Sequence, residues 1–372
     1  MTGLIVTEWI ERAGGAERVL DRMTRLLPDA DVLCLWNDAP DRYPGRTVRE
    51  TWLARTPLRR HKALALPLMP ITWSARRRLH HEWALVSSHA FAHHVRVGRP
   101  DIPKYVYVHT PARYLWAPEL DGRGSSLPAR LAGPPLRALD RRAAQGATSL
   151  AANSAFVADR VRRSWGRDAE VIHPPVDVAE IQSGRWRSML TDAERRTLDD
   201  LPSTFVLGVS RFVPYKQLDT VIRIGELLDA PVVIAGYGPL EGELRARGGE
   251  SSVPVELLLT PSDAMVRALM DRALLFAFPP IEDFGIVAVE AMAAGTPVMA
   301  NRAGGAGESV REGVSGSLFD PRSADEIRTA ASMCASLRRD AIAEHARQFD
   351  NSVFDRSLLD WLSPHVSLAP AR

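Results

Sequence analysis

Twice along this 372-residue chain, short apolar runs alternate with amphipathic helical stretches, and a polar tract without any strand pattern separates the two series. Parallel strands need a crossover, usually a helix, between them, and strands buried on both faces read as near-continuous apolar runs. Each series therefore specifies a parallel sheet covered by helices, and the fold class is α/β with two Rossmann-like doubly wound domains facing a central cleft. In the first series the strands are expected at Gly3–Thr7, Asp31–Trp36, Trp83–Ser87, Lys104–His109, Ala147–Ala151 and Glu170–Ile172, with helices at Ala16–Leu27, Leu127–Gln145 and Ser154–Trp165. In the second they are expected at Thr204–Val209, Pro231–Ala235, Pro254–Leu259, Ala273–Phe278 and Pro297–Ala300, with helices at Gln217–Leu228, Leu240–Arg247, Pro261–Met270, Gly285–Ala294 and Ala324–Ser336. The domains are accordingly 1–178 and 204–351, with 179–203 as a linker. A last helical stretch within 352–372 is expected to return to the first domain.

Composition narrows the function classes. No apolar run approaches the ~18 residues of a membrane span, and the longest, Ala63–Trp73, is broken by Pro67 and Pro70. No basic segment followed by an apolar core opens the chain, so no signal peptide is expected and the reading is cytoplasmic. Cys34 and Cys334 read as reduced core thiols in different domains. Net charge is +2, but residues 1–180 hold 27 Lys and Arg against 19 Asp and Glu, and the remainder is acidic. Within 51–100 nine basic residues face one acid, Glu82, among Trp52, Leu64, Leu66, Leu68, Met69, Trp73 and Trp83. Two readings stay open: peripheral contact with an anionic membrane or an acidic or lipid-linked acceptor, or an arginine-rich helical hairpin with its own core. Nucleic acid is not an expected partner, because the acidic second half would repel it.

The richest segment is 282–308. Glu282 and Glu290 flank a helix start that follows the expected strand ending at Phe278. Carboxylates suit sugar hydroxyls, and the backbone N–H groups of a helix start suit phosphate, so the segment fits a sugar linked to a nucleoside diphosphate. After the strand Thr204–Val209, Arg211 and Lys216 could clamp a diphosphate from two sides, one as a fork and one as a point charge. Glu290 could accept two hydrogen bonds from a ribose diol. Gly14-Gly15 would permit close approach of backbone to phosphate, and Gly236-Tyr237-Gly238 a tight turn under a nucleotide. His109 ends a strand and would face the cleft and the donor sugar. The remaining histidines show no metal spacing, and Asp29-Ala30-Asp31 reads as a turn before a strand rather than a metal motif.

Together these residues resemble glycosyltransferase family 4, retaining enzymes of the GT-B architecture, and within it the bacterial mannosyltransferases that use GDP-mannose. The resemblance runs through Gly14-Gly15-Ala16-Glu17-Arg18, Ser87-Ser88-His89, the stretch from His109 to Tyr114, Asn153-Ser154, Val171 to Asp177, Arg211 to Lys216 and Glu282 to Pro297. It implies that Arg211 and Lys216 bind the diphosphate and Glu290 the ribose. It implies too that Glu282, with the amides of Phe284, Gly285 and Ile286, holds the transferred sugar, while His109 touches it from the first domain and Gly14 and Gly15 lie near the phosphate. Catalytic roles thus fall to Glu282, His109, Arg211 and Lys216, with donor contacts adding Gly236. No cofactor or metal is expected; the partners are a nucleotide-sugar donor and a glycan or lipid-linked acceptor of cell-envelope polysaccharide or glycolipid synthesis. Leu258-Leu259-Thr260-Pro261 departs from the usual Leu-Gly turn near the base, and Ala306-Gly307 makes its segment richer in glycine than usual. A UDP-sugar-dependent transferase of the same fold is the alternative. A glycoside hydrolase would use two carboxylates but no diphosphate clamp. A non-catalytic partner subunit would have lost one of the four charged residues, all of which are present.

Overall fold

The computed structural model describes residues 2–75, 80–98, 101–118, 127–364 and 366. The chain forms two compact units, Met1–Pro175 with Ser352–Arg372, and Val176–Asn351.

In the first unit β1 (Gly3–Thr7), β3 (Asp31–Cys34), β5 (Val48–Glu50), β6 (Trp83–Ser88), β7 (Lys104–Val108), β8 (Ser149–Ala152) and β9 (Glu170–Val171) form one sheet in the order β5-β3-β1-β6-β7-β8-β9. Every pair in it is parallel. Strands β1, β6 and β7 are buried along their full length, which is why they read as unbroken apolar runs. A second ladder, β2 (Trp9–Ile10) with β4 (Trp36–Asn37), extends β1 and β3 past their carboxyl ends. The helix Gly15–Leu26 buries Val19 and Leu20 together with Met23 one turn on. Helix Ala155–Trp165 starts on the Ser154 hydroxyl, which accepts the Val157 N–H at 3.0 Å, and stops at Gly166 with φ 66°.

The carboxyl-terminal helix Asn351–Leu362 packs on this first unit through aromatic edges. Phe354 meets Tyr107 at 6.0 Å between ring centroids and Trp361 meets Tyr105 at 5.0 Å, while the Trp361 indole donates to Ser149 Oγ at 2.8 Å. Arg22 pairs with Asp355 on the same helix. Residues 367–372 of the expected returning segment lie outside the described residues.

The second unit contains β10 (Val206–Arg211), β11 (Val232–Tyr237), β12 (Val255–Leu259), β13 (Leu275–Phe278), β14 (Val298–Asn301) and β15 (Gly316–Phe319), ordered β12-β11-β10-β13-β14-β15 and parallel throughout. The stretch 179–203, read from the sequence as a linker, is part of this unit. It folds into Val178–Ser183, a 3-10 turn at Arg185–Met189 and Asp192–Asp200, the last opened by a Thr191/Glu194 capping box. Val178, Ile181, Trp186, Leu190 and Leu201 are buried in the same cluster as Phe205, Val289 and Met292. Those five apolar residues were too widely spaced among charges to reveal a core-facing surface. Strands β5 and β15 were not expected either: both lie at sheet edges, and Arg49, Glu50 and Ser317 blur the apolar pattern.

Among the described residues no helix is long and apolar enough to cross a membrane. Cys34 and Cys334 are free and buried, one in each unit, and burial pushes the Cys334 thiol up to about 12. The segment 52–74 is a chain of short helical turns: Met69 and Trp73 are buried, whereas Trp52, Leu64 and Ile71 are 51%, 65% and 66% exposed. Short turns form here rather than the regular helices of the hairpin alternative, because Pro57, Pro67 and Pro70 interrupt the segment.

One buried charge cluster ties the first unit together. Asp140 accepts the indole N–H groups of Trp116 and Trp165, each at 2.7 Å, and a bond from His94 Nε2 at 2.8 Å, with His93 Nε2 at 3.1 Å. Burial, and then the neighbouring His93, draws His94 down from 6.5 to about 4. The unfolded chain thus takes up a proton between those pH values that the folded chain refuses, so stability should fall as pH drops from 6.5 toward 4, by about 3 kcal/mol in all. Glu8 and Asp140 are held below their ordinary values, so their contributions are lost at still lower pH; Glu17, raised by burial, acts in the opposite sense. Urea unfolding at pH values between 4 and 6.5 checks this, and the His94→Gln variant should show a flatter limb over the same range.

Candidate functional site

In a doubly wound parallel sheet the ligand lies beyond the carboxyl ends of the strands, where successive strands turn away to opposite sides. The strand orders put that point between β1 and β6 in the first unit and between β10 and β13 in the second. The loops leaving those four strands carry most of the residues singled out above.

In the second unit the loop after β10 holds Arg211 and Lys216, and the loop after β13 holds Glu282. Lys216 Nζ pairs with Glu282 Oε1, and both side chains are only 16% exposed. Arg211 Nη2 donates to the Tyr215 hydroxyl at 2.8 Å, and Lys216 Nζ lies 5.2 Å from the centre of the Tyr215 ring. One cluster thus joins Arg211, Tyr215, Lys216 and Glu282, although 66 residues separate the last two. Glu282 is fixed from behind by glycines: Gly305 N–H donates to the Glu282 carbonyl at 2.7 Å, and a Cβ on Gly304 would sit 2.8 Å from that same oxygen. A Cβ on Gly305 would collide with the Asp283 carbonyl. Gly304 and Gly305 therefore let two loop backbones touch.

Gly285, at φ 91°, turns the chain into the helix Ile286–Ala293. Ala288, Val289, Ala291 and Met292 face the core, while Ile286 and Glu290, one turn apart on a single face, are half-buried. Phe284 is buried and meets Phe349 at 5.7 Å. Gly236 lies next to the end of β11, where a Cβ would collide with the Ser210 carbonyl, so glycine is required there by the neighbouring strand β10. The same carbonyl-rich corner holds Thr260, whose N–H donates to the Gly236 carbonyl at 2.9 Å and whose φ is 47°. A β-branched residue in the left-handed region costs about 1–2 kcal/mol, and this is the position at which the sequence departs from a Leu-Gly turn.

In the first unit His109 follows β7. Its N–H donates to the Ser88 carbonyl at 2.8 Å and its Nε2 lies 2.8 Å from Ser87 Oγ. Its ring meets Tyr107 at 5.2 Å and His89 at 6.1 Å. Gly14 precedes the helix that begins at Gly15, and there the Glu17 carboxylate lies so close that a Cβ on Gly14 would strike it. Glu17 also accepts the Glu11 N–H at 3.2 Å. Burial raises the Glu17 carboxyl above its ordinary value against the lowering effect of its own N–H and of His89. The expected phosphate-side backbone of Gly14 and Gly15 thus has an acid of its own in attendance.

Sequence reasoning missed Glu8. It is fully buried between β1 and β2 and accepts the N–H groups of Ala90 and Ala92 at 2.8 Å each and of His89 at 3.2 Å, with His89 Nδ1 at 3.1 Å. Burial raises its carboxyl, but His89 and the three N–H groups outweigh that and hold it below the ordinary value. Its carboxylate organises the β6 loop beside His109. Only its place at a strand end could have drawn notice, since a single acid after an apolar run is a common turn signal.

The expectation that the histidines lack metal spacing concerned the sequence; in space His93, His94 and Asp140 bring ligand atoms within 4.8 Å of one another. Asp140 is already engaged by the Trp116, Trp165 and His94 donors, with His93 Nε2 beside it at 3.1 Å. Asp31 of the Asp-x-Asp segment lies in β3 and contacts His81 at 3.1 Å and Arg49 at 3.5 Å. The arginines at 76–78 lie outside the described residues.

Two parallel, doubly wound units with charged loops at their switch points define the GT-B class of glycosyltransferases. Residues 13–180 match the model for Glycosyltransferase Family 4 and residues 192–349 that for Glycosyl transferases group 1. The chain belongs to glycosyltransferase family 4. It is 31% identical over 269 residues to the D-inositol 3-phosphate glycosyltransferase of Mycobacterium tuberculosis, a match spanning 67% of this chain and 54% of that protein. The matched stretch is thus about half the length of this curated relative. Among solved structures, HepE of Anabaena in complex with UDP aligns over 98% of this chain and 100% of its own at TM-score 0.69 and 19% identity, and the same protein is also known with UDP-glucose. Sucrose-phosphate synthase from Thermosynechococcus elongatus aligns over 98% and 99% at TM-score 0.70 and 14% identity. Identities this low concern the fold.

Proposed function

We propose that the protein transfers a hexosyl group from a nucleoside-diphosphate sugar to a glycan or lipid-linked acceptor of the cell envelope, at the cytoplasmic side, retaining the anomeric configuration and using no metal. The observation that carries this reading is the Lys216–Glu282 pair beside Arg211 at the β10/β13 switch point. Arg211 and Lys216 offset the charge that grows on the diphosphate as the glycosidic bond breaks. Glu282, with the amides of Phe284, Gly285 and Ile286, holds sugar hydroxyls, and Glu290 takes the ribose diol. From the first unit His109 touches the sugar, and Gly14 and Gly15 approach the phosphate. The acceptor oxygen bonds to the anomeric carbon, the bond to the diphosphate breaks, and the acceptor proton passes to the leaving phosphate.

Two donors divide this reading. The motif resemblance favours GDP-mannose; the UDP and UDP-glucose held by HepE favour a UDP-sugar, and Thr260 stands in the segment that departs from the usual Leu-Gly turn near the base. Peripheral contact with an anionic membrane belongs to the same proposal and is supported by exposed Trp52, Leu64 and Ile71 in a basic segment. Melting curves with GDP-mannose, UDP-glucose and UDP-N-acetylglucosamine decide the donor: a ligand at a hundred times its Kd adds about 2.7 kcal/mol of stability. One of them should raise Tm in the native chain and not in Lys216→Ala. No shift with any of the three would sink the reading.

A further inference from the structure

Two adjacent histidines, His93 and His94, lie in the 3-10 turn Ala92–His94 that follows β6, and Asp140 lies on the helix Leu127–Ala144 packed against that turn. None of the three side chains has any exposed surface. The two imidazole Nε2 atoms converge on one carboxylate oxygen: His94 Nε2 is 2.8 Å and His93 Nε2 3.1 Å from Asp140 Oδ1. His93 Nε2 completes no hydrogen bond there. A buried ring nitrogen beside a carboxylate and bonded to nothing calls for a physical reason.

The reason lies in the hydrogen-bond chain behind His93. Ser88 Oγ donates to Glu8 Oε1 at 3.3 Å and lies 3.3 Å from His93 Nδ1. A hydroxyl has a single hydrogen, so with that hydrogen on Glu8 the His93 Nδ1–H must donate to Ser88. The lone pair of His93 is then on Nε2, facing the Asp140 oxygen. Two lone pairs pointing into one buried space require a cation between them. The other Asp140 oxygen, Oδ2, accepts the Trp116 and Trp165 indoles at 2.7 Å each, which orients the carboxylate and leaves Oδ1 to the histidines.

The spacing suits a small ion. Bonds of about 2.0–2.1 Å in a tetrahedral zinc site put ligand atoms about 3.3 Å apart, and both nitrogen–oxygen separations here are within about half an ångström of that. The charges suit a divalent one: Asp140 adjoins the space directly and Glu8 stands behind Ser88, both buried, while the Lys104 ammonium opposes them where it donates to the His93 carbonyl at 2.9 Å. The Ser88 hydroxyl and the two indoles are partners of the kind that orient metal ligands from behind.

We infer that His93 Nε2, His94 Nε2 and Asp140 Oδ1 form a structural site for one divalent transition-metal ion, and that the ion is zinc. Imidazole nitrogen and carboxylate oxygen are ligands of tetrahedral zinc, whereas magnesium and calcium take mainly oxygen. Water takes the fourth position. In the bound form each imidazole carries its proton on Nδ1, so the ion replaces the His94 bond to Asp140. The ion fastens the β6 loop, which holds His89 against His109, to the helix Leu127–Ala144. It takes no part in the proposed transfer.

Zinc titration of the full chain, stripped with EDTA and dialysed, tests this in competition with a chromophoric chelator. The native chain should take up one zinc and gain thermal stability with it, while magnesium and calcium at the same concentration do neither. Ser88→Ala removes only a supporting partner and should weaken zinc by about tenfold; His93→Gln and His94→Gln remove ligands and should each weaken it by at least about a hundredfold. Cobalt(II) should give the strong visible absorption of a tetrahedral ion in the native chain and lose it in His93→Gln. Should a histidine variant fail to fold, Ser88→Ala and the native cobalt spectrum decide. No zinc uptake, uptake that both histidine variants or Ser88→Ala retain at native affinity, or the pale spectrum of six-coordinate cobalt would each overturn the inference.

Discussion

Replacing Glu282 or Lys216 by alanine is expected to cut sugar transfer by a factor of about 10²–10³ while the protein stays folded, a loss of the size seen when one preorganised charge-stabilising group is removed. The argument starts from their pairing. Each side chain is largely buried, each is the other's charge partner, and Gly304 and Gly305 hold the Glu282 backbone in place. Removing Lys216 takes away a cation for the diphosphate and leaves Glu282 aimed without its partner; removing Glu282 takes away a sugar ligand and releases Lys216 from its position. Because both losses disable one cluster, the double variant should cost far less than the two single losses combined. Steady-state kinetics with the donor identified by thermal stabilisation gives the measurement, and circular dichroism checks the fold. Turnover at the native rate in both single variants would remove the site from the transfer reaction.

Glu8→Ala should destabilise the first unit by about 3–5 kcal/mol, the range found when one partner of a buried charge network is deleted. Three N–H groups at 89–92, those of Ala90 and Ala92 buried and that of His89 partly so, lose their acceptor together at a residue with no exposed surface. Glu8→Gln retains an acceptor oxygen and should cost less. Urea unfolding resolves the effect as a lowered midpoint of one transition, because the two units have separate cores and need not melt together. Turnover should fall as well, since the loop that Glu8 anchors carries His89 against His109.

The legibility of the fold was uneven for physical reasons. Central strands such as β1, β7 and β11 were plain because burial on both faces leaves an uninterrupted apolar run. Edge strands β5 and β15 were not, since one side of each ladder is open and polar residues are tolerated there. The tract at 179–203 looked like a linker because its buried residues are few and far apart; only the cluster around Val289 and Met292 shows what they face. Of the site, the strand-end positions of His109, Arg211, Lys216 and Glu282 followed from the alternation of strand and helix alone.

Residue type and local pattern thus determined, without any coordinates, the two parallel α/β units and the charged residues at the ends of their strands. What pairs with what was decided only by the tertiary structure. Strand order brings the β10 and β13 loops together, so that Lys216 meets Glu282, and brings β1 beside β6, so that Glu8 gathers the amides of 89–92. Such contacts join residues tens of positions apart, and they depend on strand order and register, which local propensity does not encode.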